Sequence, residues 1–121
     1  MTRIQNSKPY DVEDRTFAFA KRVRTLVNKL HRTTANNEDG RQLVRASGSV
    51  GANYIEANES LSKKDFIMRI KICRKEAKES RYWLRLIDTH DEPGKETSRV
   101  DLMKEATELM NIFGAILQKS K

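Results

Sequence analysis

Seven cations, Lys64, Lys71, Arg74, Lys75, Lys78, Arg81 and Arg85, recur within one short stretch of the chain. At about 100° per residue they fall on a single arc of a helix that the pattern predicts from Ser62 to about Thr89. Cations repeated at that pitch suit phosphate contacts, which need charge at regular steps and carry little sequence information. Tyr82 and Trp83 lie in the same stretch, and aromatic rings beside cations can stack on bases. The competing reading of the arc is a solvated face whose cations pair with neighbouring acids. For Trp83 the competing reading is a place in the core or in an interface. Ile67 interrupts the arc and argues against an unbroken phosphate track.

Catalytic patterns are scarce. His31 and His90 fall near the ends of predicted helices and begin no known arrangement. The Glu-x-x-His spacing that builds carboxylate di-metal centres in bundles is missing, as are a glycine loop for phosphates and a cysteine cluster for zinc. Glu56 with Glu76 or Glu79 makes at most a carboxylate pair, which reads better as part of a structural polar network. The expectation is a protein with no enzymatic activity, metal or cofactor. A weaker third reading is an enzyme that uses the Asn53–Glu56 region.

The element that carries the basic arc has two further faces. Phe66, Ile70, Cys73, Ala77, Ser80, Leu84 and Ile87 step by fours and threes, the seam of a packed bundle. Met68, Ile72 and Trp83 fall on a third arc beside Asp65, Glu76 and Glu79. A bundle helix needs one apolar stripe, so the second predicts an oligomer interface at Met68, Ile72 and Trp83. The single cysteine, Cys73, lies on the seam, which excludes an intrachain disulfide and suits a reducing cytoplasm.

Three other helices are predicted. The first runs from an Asp11 cap to about Thr33 on Val12, Thr16, Phe19, Val23, Leu26 and Leu30, with Glu13 and Asp14 favoured by the helix dipole. The second is expected after a loop at 36–40 and runs to about Asn58, on Leu43, Ser47, Val50, Tyr54 and Ala57. Ser62 and Asp65 have capping-box spacing at the start of the third, which ends before the turn signal Asp91-Glu92-Pro93-Gly94. The fourth is expected to be capped at Thr97 or Ser98 and carries Met103, Ala106, Met110, Phe113 and Leu117, widened by Leu102, Leu109, Ile112 and Ile116. Period-two alternation is absent. Short connections between four such helices predict an all-α, antiparallel, up-down-up-down four-helix bundle that assembles as a homo-oligomer.

A chain of 121 residues suits one domain over 1–121, with residues 1–10 as a flexible arm. Its 37% hydrophobic content is below the usual share of about 45–50%. No run resembles a signal peptide or approaches the roughly 18 apolar residues of a membrane span, so the expected setting is soluble and cytoplasmic. The net charge of +7 favours acidic partners, nucleic acid first and an anionic membrane surface second.

The second helix breaks a local rule, because Gly48 and Gly51 each cost about 1 kcal/mol relative to Ala in a helix interior. The apolar stripe passes straight through them, which points to a close approach by a neighbour. The run Arg45-Ala46-Ser47-Gly48-Ser49-Val50-Gly51-Ala52-Asn53-Tyr54-Ile55-Glu56-Ala57, followed by Ser62-Lys63-Lys64-Asp65-Phe66, resembles the signature of the 23S rRNA intervening-sequence protein family, also called S23. Ser49, Asn53, Glu56 and Phe66 match its positions, and Glu79 matches a later acidic one. Ala57 departs from a frequent Gly, and Glu76 stands where a small residue is common.

The resemblance covers nearly the whole chain and implies a homo-oligomer, a barrel-shaped pentamer of antiparallel bundles. It also implies a structural polar network at Ser49, Asn53, Glu56 and Glu79. Genes of the family often lie in inserted segments of 23S rRNA genes. Related bundles serve as accessory factors beside reverse transcriptases, where a basic surface binds nucleic acid. The leading expectation is therefore low-specificity RNA or DNA binding, with no membrane partner, centred on the basic arc. Its rival is a protein-interaction scaffold or accessory factor that does not touch nucleic acid.

Overall fold

The computed structural model describes residues 9–121, with side chains from Val12 onward. Four helices follow one another: α1 Pro9–Lys29, α2 Thr34–Asn58, α3 Lys63–Leu86 and α4 Pro93–Lys119. No strand occurs among the described residues. The flexible arm expected at 1–10 lies mostly outside them, and its last two residues, Pro9 and Tyr10, belong to α1.

Each helix turns one apolar stripe inward. Val12, Phe19, Val23, Leu26 and Leu30 of α1 meet Leu43, Val50, Tyr54 and Ala57 of α2 in one continuous core. Ile70, Cys73, Ala77 and Leu84 of α3 and Leu102, Ala106, Leu109 and Phe113 of α4 complete it. Burying each large side chain of this set is worth about 1.5–3 kcal/mol. α3 packs between α2 and α4, and α1 closes the ring against α2 and α4. On α4 the centre of the stripe is Leu102, Leu109 and Phe113, while Met103, Met110 and Leu117 are only partly buried. Arg15 clamps the α1–α4 seam, donating to Glu105 at 2.7 Å and Glu108 at 2.9 Å.

The glycines of α2 explain its close fit to α1. A Cβ on Gly40 would stand 3.1 Å from Val27, one on Gly48 3.1 Å from the Arg24 guanidinium, and one on Gly51 2.8 Å from Thr16 Oγ1. Rising positions on α2 thus meet falling positions on α1. Arg24 can swing away. Thr16 is buried and β-branched, and its hydroxyl is committed to the Glu13 carbonyl at 2.9 Å, so Gly51 has no room for a methyl.

Five helix boundaries differ from expectation: α1 opens at Pro9, so Asp11 lies inside the helix rather than capping it, α3 ends at Leu86 rather than about Thr89, and three others differ for local reasons. α1 ends at Lys29 rather than Thr33, because Thr33 serves as N-cap of α2 and accepts from the Asn36 amide at 3.1 Å. The predicted loop at 36–40 is therefore helix. Asn36 is buried, donating to the carbonyls of His31 and Asp88 and accepting from the Asp88 amide at 2.8 Å. One side chain ties the connection at 30–33 to the connection at 87–92. α3 starts as expected, with Ser62 Oγ accepting from the Asp65 amide.

α4 begins at Pro93, not at Thr97 or Ser98: proline is preorganised for the first helical position. The reversal before it is made by His90 and Asp91, both at φ 56°, while Gly94 is ordinary helix. His31 and His90 stack with ring centroids 4.2 Å apart, and His31 Nε2 lies 2.5 Å from Glu92. Glu96 accepts from Arg99 and from Thr89.

Gly51→Ala is expected to lower stability by about 1 kcal/mol or more, since overpacking outweighs the gain in helix propensity. Gly94→Ala has nothing within 4 Å of the new methyl and is expected to raise stability by up to about 1 kcal/mol. Thermal unfolding of the two variants checks the contrast, and equal effects would refute it. A second expectation concerns acid. Arg99, then Thr89, hold the Glu96 carboxyl down to about 2 from an ordinary 4.5. Lys95, then His31, lower that of Glu92. Depressed carboxyls stabilise the fold fully above their unfolded value and lose that contribution as pH falls through the folded value. The melting temperature should therefore fall between pH 4.5 and about 2, less steeply in Glu96→Gln; an identical slope in the variant would contradict the assignment.

Candidate nucleic-acid interface

The buried seam of α3 fixes where its cations stand. With Ile70, Cys73, Ala77, Ser80 and Leu84 inward, Lys64, Lys71, Arg74, Lys75, Lys78 and Arg85 are exposed and Arg81 is half-buried. Arg74 and Arg81 lean toward α4: Arg81 Nη1 donates to Thr107 Oγ1 at 2.9 Å, and Arg74 approaches Gly114. Lys75 alone of the seven has an acidic partner, Glu79 at 4.0 Å. Among the described residues the other six form no ion pair. Two hollows line this flank. One, between α3 and α4, is walled by Arg81, Arg85 and Lys104 over Val100 and Met103. The other is an apolar dish at Ile67 and Met68, rimmed by Lys63, Lys64 and Lys71.

The two aromatics part ways. Tyr82 is 53% exposed, on the flank of Lys78 and Arg85. Trp83 packs against the core on the α2 side, edge-on to Tyr82 at 5.1 Å, and its Nε1 is buried without a hydrogen-bond partner among the described residues. Hydrophobic periodicity alone could not separate neighbours that differ by one helical step. Of the expected interface residues only Met68 is openly exposed, at 53%. Ile72 and Trp83 are half-buried within the single chain.

The expected polar network divides in two. Asn53 donates to the Ser49 carbonyl at 2.9 Å and accepts from Arg69 at 3.0 Å, bridging α2 and α3. Ser49 itself bonds back to Arg45. Two turns away, Arg45 reaches Glu79 at 3.4 Å and Glu76 at 3.7 Å. Glu76 is buried, and its Oε1 has no hydrogen bond among the described residues. Glu56 joins neither half: its side chain faces solvent, because the stripe through Tyr54 and Ala57 turns it outward. Glu56 is therefore not brought together with Glu79. Arg45 and Arg69 organise the two halves from the facing helix, 34 residues from Glu79 and 16 from Asn53, a separation that spacing along one helix does not reveal.

Among the described residues no group of three or more His, Cys, Asp or Glu side chains is placed to hold a metal ion. No helix among them is long and apolar enough to cross a membrane.

The pattern that defines the family described as 23S rRNA-intervening sequence protein matches residues 8–115 of this chain. Among solved structures, the crystal structure of a protein with unknown function from the S23 ribosomal protein family of Bacteroides thetaiotaomicron is similar. It shares 29% identity and a TM-score of 0.77, over 93% of this chain and 99% of that one. No curated protein matches.

Cys73 is enclosed in the seam, and burial pushes its thiol up to about 12. Its thiolate fraction at neutral pH is then about three orders of magnitude below that of a free thiol near 8.5. An aromatic disulfide reagent should leave Cys73 almost untouched in the native protein and titrate it fully in denaturant. Rapid native reaction would contradict a purely packing role.

Proposed function

The chain belongs to the 23S rRNA-intervening sequence protein family, and from that premise we propose that it is a non-catalytic, oligomeric nucleic-acid-binding bundle of low sequence specificity. The observation that carries this reading is that six of the seven predicted α3 cations have no acidic partner among the described residues. Cations on a merely solvated face would be expected to find acids among the 17 in the chain. Lys64, Lys71, Arg74, Lys78, Arg81 and Arg85 are instead left for an external anion. From Lys64 to Arg85 the helix rises about 32 Å, long enough to track several phosphates. Each phosphate neutralised releases condensed counterions, so the attraction is strong at low salt and indifferent to sequence.

The helices of the bundle run antiparallel, up-down-up-down. Support comes from the short connections and from pairings in which one helix rises while its neighbour falls: Gly40 to Gly51 against Val27 to Thr16, and Arg81 and Leu84 against Thr107 and Arg99. Several copies assemble, five by the resemblance. Met68 in the Ile67 dish, and Leu61, which is 100% exposed just before α3, supply apolar surface for a neighbouring copy. A ring of copies would repeat the cationic flank and raise avidity without new contacts. A reducing cytoplasm suits the single thiol, and the partners are other copies and RNA or DNA, with no membrane, metal or cofactor.

A labelled mixed-sequence RNA or DNA is expected to bind with an affinity that falls steeply as salt rises. Lys71→Ala, Lys78→Ala and Arg85→Ala should each weaken binding similarly for all sequences and reduce the salt slope by about 1. Light scattering should give a mass several times 14.0 kDa. Absent or salt-insensitive binding would refute the nucleic-acid reading, and a stable monomer the assembly.

A further inference from the structure

The hollow between α3 and α4 differs from the rest of the basic flank in having an apolar floor. Val100 and Met103 of α4 form that floor, and Arg81, Arg85 and Lys104 wall it. Its volume is about 660 Å³, and among the described residues no carboxylate lines it. Arg99 also borders it, but its guanidinium is held by Glu96 and by the Leu84 carbonyl, so it builds the wall and adds little free charge. Thr107 accepts from Arg81 and fixes that side chain across the gap. By contrast, the groove between α1 and α4 mixes Arg22, Lys29 and Lys95 with Asp101.

A double helix turns its bases inward and offers a protein face chiefly phosphates, which need no apolar floor. An unpaired strand offers phosphates and bare base faces together. Arg81 and Arg85 stand one turn, about 6 Å, apart on α3, and Lys104 opposes them on α4. Tyr82, three residues before Arg85 on the same helix, exposes its ring just outside that lining, edge-on to Trp83. Cations for the backbone, an exposed ring and an apolar bed for bases are the parts of a sequence-tolerant single-strand site.

Building on the proposed nucleic-acid reading, the geometry points to single-stranded RNA or DNA as the ligand of the α3/α4 groove, with Tyr82 stacking on a base. Arg85 and Lys104 take the phosphates, and Val100 and Met103 receive a neighbouring base. Duplexes meet only the cations of the flank and bind more weakly.

The test is fluorescence anisotropy on the full chain at one fixed, moderate salt concentration. The probes are a labelled mixed-sequence single-stranded RNA, the matching single-stranded DNA and the corresponding DNA duplex. Both single strands are expected to bind about tenfold or more tightly than the duplex. Tyr82→Ala should cost the single strands about five- to a hundredfold and leave the duplex unchanged, while Tyr82→Phe retains the wild-type preference. Arg85→Ala should weaken both forms alike. The emission of Trp83, the one tryptophan, and the melting temperature report whether each variant keeps its fold. Equal binding of strand and duplex, or a Tyr82→Ala loss shared by both, would overturn the single-strand assignment while leaving low-specificity binding intact. Binding of none of the probes would overturn both. RNA bound with DNA ignored would narrow the ligand to RNA.

Discussion

Everything outside the core is set by the register of α3. Ile70, Cys73, Ala77 and Leu84 are wholly enclosed, and slipping the helix by one residue would bury Lys71 and Lys78 in one direction or Arg69 and Glu76 in the other. Desolvating an unpaired ammonium costs far more than any single surface contact returns. The register is therefore fixed by packing, and the 3.6-residue turn dictates the rest. Asn53 and Arg45 of α2 meet Arg69 and Glu76 on one flank, Thr107 of α4 meets Arg81 on the other, and Lys71, Lys75 and Lys78 are left outward. A hydrophobic content of 37% suffices because each helix commits only one stripe.

Most of that frame was legible in the chain. All six α1 seam residues from Val12 to Leu30 are buried, as are the five on α2 and all but Phe66 of the seven on α3. Periodicity reads the core well because a buried stripe repeats over many turns. Boundaries were harder, since they depend on one or two local bonds. Asn36 to Gly40 has the composition of a loop, yet it is helix because Thr33 caps it and the Asn36 amide is fully used across two connections. Pro93 reads as part of a turn by composition and opens a helix by its fixed φ.

The candidate site was legible in its charges and not in its walls. The α3 cations follow from spacing alone. Lys104, Val100 and Met103 lie on another helix, and only the tertiary packing sets them opposite Arg81 and Arg85. Tyr82 and Trp83 are adjacent in sequence and about 100° apart around the helix, so which one faces solvent depends on where α2 lies. Glu56 was grouped with Asn53 by the family resemblance, but the inward stripe lies on the other side of Asn53, and Arg69 takes the amide instead.

Ultraviolet crosslinking of the native protein to a single-stranded oligonucleotide, with adducts located by mass spectrometry, tests the central claim most directly. Adducts are expected to concentrate on the α3/α4 flank, from Lys78 to Arg85 and from Val100 to Thr107, and to disappear as salt is raised. Adducts spread over α1 and α2, or none at low salt, would contradict it.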